Sequence, residues 1–314
     1  MARSNTQPKL YWQSKLVLLL VFPCLGADVV LKARFWAVNL PTVALWTLGL
    51  GVLLGLVAWK LRTATPWAAA SGTVIAASIT FATLSYGDYR MYAPWRTALV
   101  PLVLLLALSS LATRLGRARK ERLGTAERRQ GRSAAQVAAN LGVAALLSNQ
   151  AALFCLEGLG GLQLGFQHLH GVRGVFWSAT LPFAIGLAAL AESAADTVSS
   201  EIGQVCGGRP RMLTTLRIVE PGTDGAISLV GTLAGVAACT AVSLAGTFAL
   251  SGGWEMLSIA GAGGVFGLFF DSLLGATLER RGWLNNDAVN FLSTASAAAF
   301  AVVLLALLSH PGVS

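Results

Sequence analysis

The chain is 314 residues long, of which 55% are hydrophobic and only 12% charged, with a mean hydropathy of +0.65. Soluble domains usually carry about a quarter charged residues, so this composition excludes a soluble globular protein and predicts several membrane spans. The net charge of +9 would indicate nucleic-acid binding in a soluble protein. In a membrane protein it favours basic cytoplasmic loops and contact with anionic lipid.

Nine apolar runs approach the length of about 20 residues that a membrane span needs. The sequence therefore predicts an all-α, polytopic bundle of about nine transmembrane helices. We interpret the first run as a retained helix, because no small-residue cleavage site follows it and many more spans do. The cores of the nine runs are 16–31, 40–59, 67–86, 97–112, 134–156, 175–195, 226–250, 256–278 and 289–308.

The basic residues predict an orientation for this bundle. If the N-terminus is cytoplasmic, 18 of the 23 lysines and arginines fall in inside segments, which is what the positive-inside rule requires. The longest polar stretch, 114–132, is either a solvated linker or an attractor for phosphorylated lipid or nucleotide, and these interpretations are compatible. We accordingly divide the chain into N-terminal spans (1–113), a basic linker (114–133) and a catalytic transmembrane region (134–314).

Acidic residues at the predicted end of the sixth span are the first candidate site. Glu192 and Asp196 stand four residues apart and share a helix face, which Ser199 and Ser200 continue. Two acids with hydroxyls at a helix end can bind a hard divalent cation such as Mg²⁺. The alternative is that the acids pair with basic residues of the following loop, namely Arg209, Arg211 and Arg217.

A glycine-rich turn at 221–225 precedes the apolar run that we expect to begin as a helix near Ala226. Gly222 and Gly225 let the backbone approach a ligand closely, and a helix N-terminus favours phosphate. Glycine and aspartate also make ordinary turns and caps, so that alternative stays open. No Walker motif is present and no lysine follows Lys120, so arginines, amides and metal would have to neutralise any phosphate.

Five residues of the eighth span are spaced by four, so that small and acidic side chains line one ridge. The small residues indicate close helix packing. Asp271 is flanked by phenylalanines and would be costly in hydrocarbon without a polar cavity, a metal or a basic partner, so we predict a functional role for it. The ridge consists of Gly263, Gly267, Asp271, Gly275 and Glu279.

Two pairs of amides also lie four residues apart at predicted helix starts, Gln136 with Asn140 and Asn286 with Asn290. They either bond neighbouring helices or orient a substrate or nucleotide.

Cysteine and histidine patterns do not favour a metal site. The cysteines lack a CxxC pair, so we expect reduced, structural thiols. His168 and His170 form an HxH pair without a third ligand nearby. The four cysteines are Cys24, Cys155, Cys206 and Cys239.

Ordered motifs from about residue 100 to the C-terminus resemble one integral membrane family. That family, long catalogued only as a domain of unknown function, includes plant phytyl-phosphate kinase. This chain has GTDGA at 222–226 where the family usually has GTNGG. The motifs are SSLATRLGRARKERLG (109–124), GRSAAQVAAN (131–140), ADTVSSEIG (195–203), PGTDGAISLVGTLAG (221–235), FFDSLLGATLERRG (269–282) and NDAVN (286–290).

The resemblance implies phosphoryl transfer from a nucleoside triphosphate, with CTP as the expected donor, to an isoprenyl monophosphate. Phytyl or geranylgeranyl phosphate would become the diphosphate. A more distant similarity to CTP-dependent polyprenol kinases and phosphatidate cytidylyltransferases implies Mg²⁺ at Asp196 and Asp271, and nucleotide phosphates near 222–228. A lipid-phosphate cytidylyltransferase and a transporter that uses Asp271 are the alternatives.

Pattern and resemblance together give one set of predicted residues. The predicted catalytic residues are Asp196, Asp271 and Arg217, and the predicted Mg²⁺ ligands are Glu192, Asp196, Glu201 and Asp271. The predicted nucleotide-binding residues are Thr197, Ser200, Gly222, Thr223, Gly225 and Ser228. The predicted substrate-binding residues are Gln136, Asn140, Asn286 and Asn290. Expected partners are the membrane isoprenyl phosphate and the nucleotide, without nucleic acid, and the expected location is a bacterial inner membrane with the site facing the cytoplasm.

Overall fold

The computed structural model describes residues 10–84, 93–126, 130–149 and 183–309. This part of the chain is mainly helical, and one short antiparallel strand pair is its main departure from the predicted all-α class. The helices are α1 (Tyr11–Asn39), α2 (Pro41–Lys60), α3 (Pro66–Leu84), α4 (Leu99–Arg114), α5 (Arg117–Leu123), α6 (Ala134–Leu147), α7 (Ala184–Cys206), α8 (Leu229–Ala249), α9 (Trp254–Leu274) and α10 (Asn286–Ser309). A 3₁₀ turn (Pro94–Arg96) precedes α4, a π-helical turn (Gly275–Glu279) continues α9, and β1 (Arg211–Met212) pairs with β2 (Ala226–Ile227).

Six helices of the described residues are long and apolar enough to cross a membrane: α1, α2, α3, α8, α9 with its π turn, and α10. A seventh span results if α4 and α5, which meet at a bend of 65°, are counted as one. The protein is thus a polytopic helical membrane protein. The predicted total of nine is not confirmed, since α6 has only 14 residues and α7 carries three acids, and the chain between them lies largely outside the described residues.

Helix α7 lies at the centre of the bundle and packs against α4, α6, α8, α9 and α10. Its alanine-rich first half is buried on all sides. Glycines of the neighbouring helices permit this close approach, because a Cβ on Gly235 would lie 2.8 Å from the Ala195 carbonyl oxygen, and one on Gly263 would lie 2.9 Å from Ala188 Cβ. Small residues at helix contacts are the usual device for close packing in membranes.

The predicted end of this helix is wrong. The apolar run ends near residue 195, but α7 continues to Cys206, so Asp196 and Glu201 lie inside a helix rather than at its exit. Glu201 is held by Lys120 of α5, whose Nζ lies 2.5 Å from Glu201 Oε2. A long-range ion pair of this kind lets polar residues continue a helix, and it leaves no mark in the local sequence.

The loop after α7 is more ordered than predicted. Arg211 and Met212 of β1 pair with Ile227 and Ala226 of β2. Helix α8 begins at Leu229 rather than near Ala226, because Ser228 is its N-cap and accepts a hydrogen bond from the Gly231 N–H at 3.1 Å.

The described parts of the inside segments, which were predicted to share one membrane face, meet at one end of the bundle. Four contacts join them: Gln13 Nε2 donates to the Trp283 carbonyl (2.8 Å), Arg132 N donates to the Thr63 carbonyl (3.0 Å), Lys120 pairs with Glu201, and a Cβ on Gly275 would lie 2.7 Å from Gly225 N. Basic residues were predicted to lie in every second loop, and the packing of these loops at one end of the bundle agrees with that order. The cytoplasmic assignment of this end stays a prediction.

Candidate functional site

Three carboxylates come together near this end of the bundle, Glu192 and Asp196 from α7 and Asp271 from α9. Glu192 is only 1% exposed, and the two aspartates are half-buried. Asp196 and Asp271 lie close enough to interact electrostatically with each other, and Glu192 interacts with both. Ionised carboxylates at such close quarters repel one another, so the cluster favours a bound cation.

The close approach of α7 to α9 depends on a glycine one turn before Asp271. A Cβ on Gly267 would lie 2.5 Å from Glu192 Cγ and 3.0 Å from the Ser293 carbonyl oxygen. The side chain of Ser293, on α10, lies beside both Glu192 and Asp271, and its hydroxyl donates to the Asn290 carbonyl at 3.0 Å. The sequence analysis did not identify Ser293. The one sequence feature that could have indicated it is its position three residues after Asn290, on the same side of the helix.

The carboxylate cluster suits magnesium in its chemistry, but not as a complete protein cage. Glu192 Oε1 and Asp271 Oδ1 are buried and have no hydrogen-bond partner among the described residues. Carboxylate oxygens are the donors that Mg²⁺ prefers, and Mg²⁺ usually takes one or two carboxylates together with water and substrate phosphate. No group of three or more His, Cys, Asp or Glu side chains in the described ranges has the spacing of a metal site. The residues therefore fit a cation shared between two carboxylates and a phosphorylated ligand.

One arginine faces this cluster. Arg132 Nη2 donates to Thr197 Oγ1 at 3.4 Å, and its charge acts on Asp196. Its backbone is fixed to the connection between α2 and α3, since its N–H donates to the Thr63 carbonyl and its carbonyl accepts from Thr65 N, both at 3.0 Å. Gly131 has a φ of +82°, and a Cβ there would overlap the Thr63 backbone. No local pattern singles out Arg132 among the basic residues of the linker.

The predicted amide pair on α6 divides into two roles. Asn140 is buried and accepts a hydrogen bond from Ser193 Oγ at 3.4 Å, one residue from Glu192. Gln136 instead forms a capping box with Ser133: Ser133 N donates to Gln136 Oε1 (2.7 Å) and Gln136 N donates to Ser133 Oγ (3.2 Å). Asn140 thus lies beside the cluster, whereas the amide of Gln136 stabilises the start of the helix.

Glu201, predicted among the metal ligands, has a different partner. Its carboxylate pairs with Lys120 and accepts from Thr113 Oγ1 at 3.2 Å. Lys120 is 1% exposed and also donates to the Ala112 carbonyl (2.7 Å) in the last turn of α4. We therefore omit Glu201 from the proposed cation site. The alternative pairing of the α7 acids with loop arginines is not seen either, because in the described chain their basic partners are Arg132 and Lys120.

The glycines of the 221–225 turn make backbone contacts. Gly222 has a φ of +85°, and a Cβ on it would lie 2.5 Å from Thr125 Cγ2. Gly225 (φ +73°) lies against the π turn after Asp271, and a Cβ there would overlap Ala276 N. Thr223 Oγ1 donates to the Glu220 carbonyl at 2.7 Å. The turn is thus joined to the helix that carries Asp271, and phosphate binding by it stays a prediction.

The other predicted residues lie at different distances from the cluster. Ser200 is exposed on α7, and its hydroxyl donates to the Thr197 carbonyl at 3.2 Å. Asn290 is half-buried on α10, and its carbonyl accepts from Ser293 Oγ at 3.0 Å, whereas Asn286 is exposed at the start of that helix. Arg217 is exposed in the loop before β2, and its carbonyl accepts from Met212 N at 2.9 Å.

The HxH pair and Cys155 lie outside the described residues. The described cysteines are free: Cys24, Cys206 and Cys239.

Comparison with known proteins decides the family. Residues 49–298 match the family described as integral membrane protein DUF92. The chain belongs to the DUF92 family. No solved structure matches it.

Relatives of this DUF92 protein occur in archaea, cyanobacteria and plants. An uncharacterized membrane protein of Methanocaldococcus jannaschii is 44% identical over 108 residues, which are 34% of this chain and 45% of that protein. An uncharacterized membrane protein of Synechocystis is 33% identical over 212 residues, 66% of this chain and 73% of that protein. The chloroplastic protein VTE6 of Arabidopsis thaliana is 29% identical over 238 residues, 74% of this chain and 65% of VTE6.

The DUF92 match begins inside α2 and ends inside α10. It is therefore wider than the motif resemblance, which starts near residue 100. The matched range contains most of α2, all of α3 and the carboxylate cluster.

Proposed function

We propose that this protein transfers a phosphoryl group from a nucleoside triphosphate, with CTP as the first candidate, to a membrane-held isoprenyl monophosphate and yields the diphosphate. The observation that carries the proposal is the cluster of half-buried Asp196 and Asp271 with buried Glu192, and with Arg132 beside it. The motif resemblance to a family that includes plant phytyl-phosphate kinase supports it, as does the similarity to VTE6.

The reaction makes modest demands on the protein. An oxygen of the acceptor monophosphate attacks the γ-phosphorus, the bond from that phosphorus to the β–γ bridging oxygen breaks, and the nucleoside diphosphate leaves. The acceptor oxygen is already ionised, so no general base is needed, and catalysis depends on positioning and charge stabilisation.

The residues divide into two tasks in this proposal. Asp196 and Asp271 would hold Mg²⁺, which supplies charge neutralisation on the phosphate oxygens when bound. Arg132, with its backbone fixed by two hydrogen bonds, orients the acceptor phosphate against them. Buried Glu192 keeps the negative potential of the cluster high enough to retain a cation. Thr197 holds the Arg132 side chain in place.

The nucleotide is assigned to the surface of the same end of the bundle. Ser200 and Thr223 lie in the exposed or half-buried parts of that surface. Their hydroxyls, the backbone of the 221–225 turn and the exposed Arg217 are the groups proposed to contact the triphosphate. The excess of basic residues at this end supports a cytoplasmic orientation in a bacterial inner membrane, where nucleotide is available.

Product identification tests the proposal. Detergent-purified protein receives Mg²⁺, each nucleoside triphosphate in turn, and geranylgeranyl or phytyl monophosphate, and the products are separated by mass spectrometry. Isoprenyl diphosphate with nucleoside diphosphate is the expected pair. A nucleotidyl-lipid with pyrophosphate would instead identify a cytidylyltransferase, and neither product with any nucleotide would overturn the proposed reaction.

A further inference from the structure

A cavity of about 410 Å³ lies between α2, α3, α4 and α6. Its size falls in the range of pockets that bind small molecules. Its lining extends along α4 from Leu102 to Arg114. At a rise of about 1.5 Å per residue these residues are roughly 18 Å apart, which is more than half of a hydrocarbon core of about 30 Å. The cavity is therefore deep and follows the helix axes.

The lining changes character along this depth. The deeper part is formed by aliphatic residues such as Leu54, Leu102 and Leu105. The part at the basic end contains four arginines and one acid, and the acid, Glu121, pairs with one of the arginines at 3.1 Å. The four arginines are Arg62, Arg114, Arg117 and Arg132. A long apolar chain with one anionic head is the ligand that matches both parts.

Two lining residues connect the cavity to the carboxylate cluster. Arg132 lines the cavity and donates to Thr197 of α7, next to Asp196. Asn140 lines it and accepts from Ser193, next to Glu192. A phosphate held at the basic end of the cavity would therefore lie beside the proposed cation site, and a chain in the deeper part would extend away from it.

Arg62, one of the cavity arginines, has a strained backbone. Helix α2 ends in a Schellman motif, in which Arg62 N donates to the Trp59 carbonyl (2.9 Å) and Thr63 N donates to the Ala58 carbonyl (3.0 Å). Glycine normally occupies the left-handed position of this motif, but here Arg62 adopts it with a φ of +55°. An arginine at this position costs about 1 kcal/mol relative to glycine. Its side chain lines the mouth of the cavity, where the charge is useful to an anionic ligand.

We propose that this cavity is the acceptor site, and that it binds one isoprenyl monophosphate with its chain among α2, α3 and α4 and its phosphate between Arg62 and Arg132. This assignment rests on the proposed function for the identity of the lipid. A free nucleotide would leave the aliphatic depth unfilled, and a neutral isoprenoid would bring no negative charge to the basic end of the cavity.

The glycines of the bundle provide a matched pair of variants. Gly72 lines the cavity, and a Cβ there would meet nothing within 4 Å. A Cβ at position 72 therefore enters open space, and Gly72→Leu is expected to occupy part of the cavity and to improve the helix propensity of α3. Gly49→Leu is the control, because Gly49 is also open, is exposed, and does not line the cavity. Both variants are expected to fold.

The measurement is the affinity of purified protein for geranylgeranyl monophosphate without nucleotide, by calorimetry in detergent, with geranylgeraniol and inorganic phosphate as partial ligands. We expect Gly72→Leu to weaken binding of the monophosphate by at least about tenfold, or 1.4 kcal/mol, and Gly49→Leu to leave it unchanged. Arg62→Gly should weaken it without lowering the melting temperature, whereas Arg119→Gln, at an exposed arginine outside the cavity lining, should not.

Two outcomes separate this inference from the proposed reaction. Unchanged affinity in Gly72→Leu overturns the cavity assignment, even if the protein makes the diphosphate with an unchanged KM. Weaker binding in Gly72→Leu together with no diphosphate under any condition keeps the lipid-phosphate site and overturns the kinase.

Discussion

Glycines close the region where α7, α8 and α9 meet, whereas the region between α2, α3 and α4 has both a closely packed glycine, Gly55, whose Cβ would lie 2.8 Å from the Ala69 carbonyl oxygen, and an open one, Gly72. Gly235, Gly264 and Gly267 bring helix backbones together, and a Cβ at any of them would lie within 3 Å of a neighbour. Gly72 of α3 faces open space. The packed region fixes three carboxylates in place, and the open region leaves room for a ligand. A membrane enzyme with a lipid substrate requires both properties, and here they lie side by side across α6 and α7.

Removing the buried positive charge of Lys120, at the junction of the two regions, should have the largest effect on stability. Lys120→Met leaves the Glu201 carboxylate largely buried without its counter-charge, at a cost of about 3 kcal/mol. Thermal unfolding in detergent would measure it. Arg119→Met, at an exposed neighbour, is the control, and the double variant Lys120→Met/Glu201→Gln should recover most of the loss. A melting temperature equal to that of the native protein in the single variant would contradict the role assigned to this pair.

One substitution applied in both regions tests the comparison directly. Gly267→Ala places a methyl group 2.5 Å from Glu192 Cγ and 2.8 Å from Ala297 Cβ, so we expect it to destabilise the protein by about 2 kcal/mol. Gly261→Ala, on the same helix at an open position, and Gly72→Ala should be neutral or stabilise by up to about 1 kcal/mol. If all three variants melt at the same temperature, the two regions do not differ in packing.

A smaller effect is expected at the start of α6, the helix that borders both regions. Ser133→Ala removes one half of the capping box beside Arg132 and should lower stability by about 1 kcal/mol. Ser199→Ala, at a half-buried serine inside α7, is a control for loss of a hydroxyl. Equal melting temperatures of Ser133→Ala and the native protein would show that the cap does not hold this helix start.

The sequence predicted the general class of the fold and part of the site, for physical reasons that particular residues make clear. Long apolar runs identify helices because hydrocarbon admits little else, and Asp271 stood out because an acid among phenylalanines is costly there. Asp196 was identified for its charge, but its helix was ended too early, because the ion pair between Lys120 and Glu201 joins residues 81 positions apart in the sequence.

The remaining features depend on contacts between residues that are far apart in the sequence, so local sequence patterns did not predict them. Arg132 is one of eight basic residues in a single linker, and only its hydrogen bond to Thr197 in the folded protein shows that it faces the acids. The cavity depends on the relative positions of four helices. Gly222 and Gly225 were expected to let the backbone approach a ligand, which stays a prediction, and the neighbours the structure gives them are Thr125 and Ala276.

The most direct measurement of the central claim is phosphoryl transfer to geranylgeranyl monophosphate by Asp196→Asn and Asp271→Asn, with Glu255→Gln, an exposed acid at the far end of α9, as control. We expect each aspartate variant to lose at least about 100-fold in kcat, while its affinity for the lipid phosphate and its melting temperature do not fall. Native activity in both aspartate variants would contradict the assignment of the carboxylate cluster as the site of phosphoryl transfer.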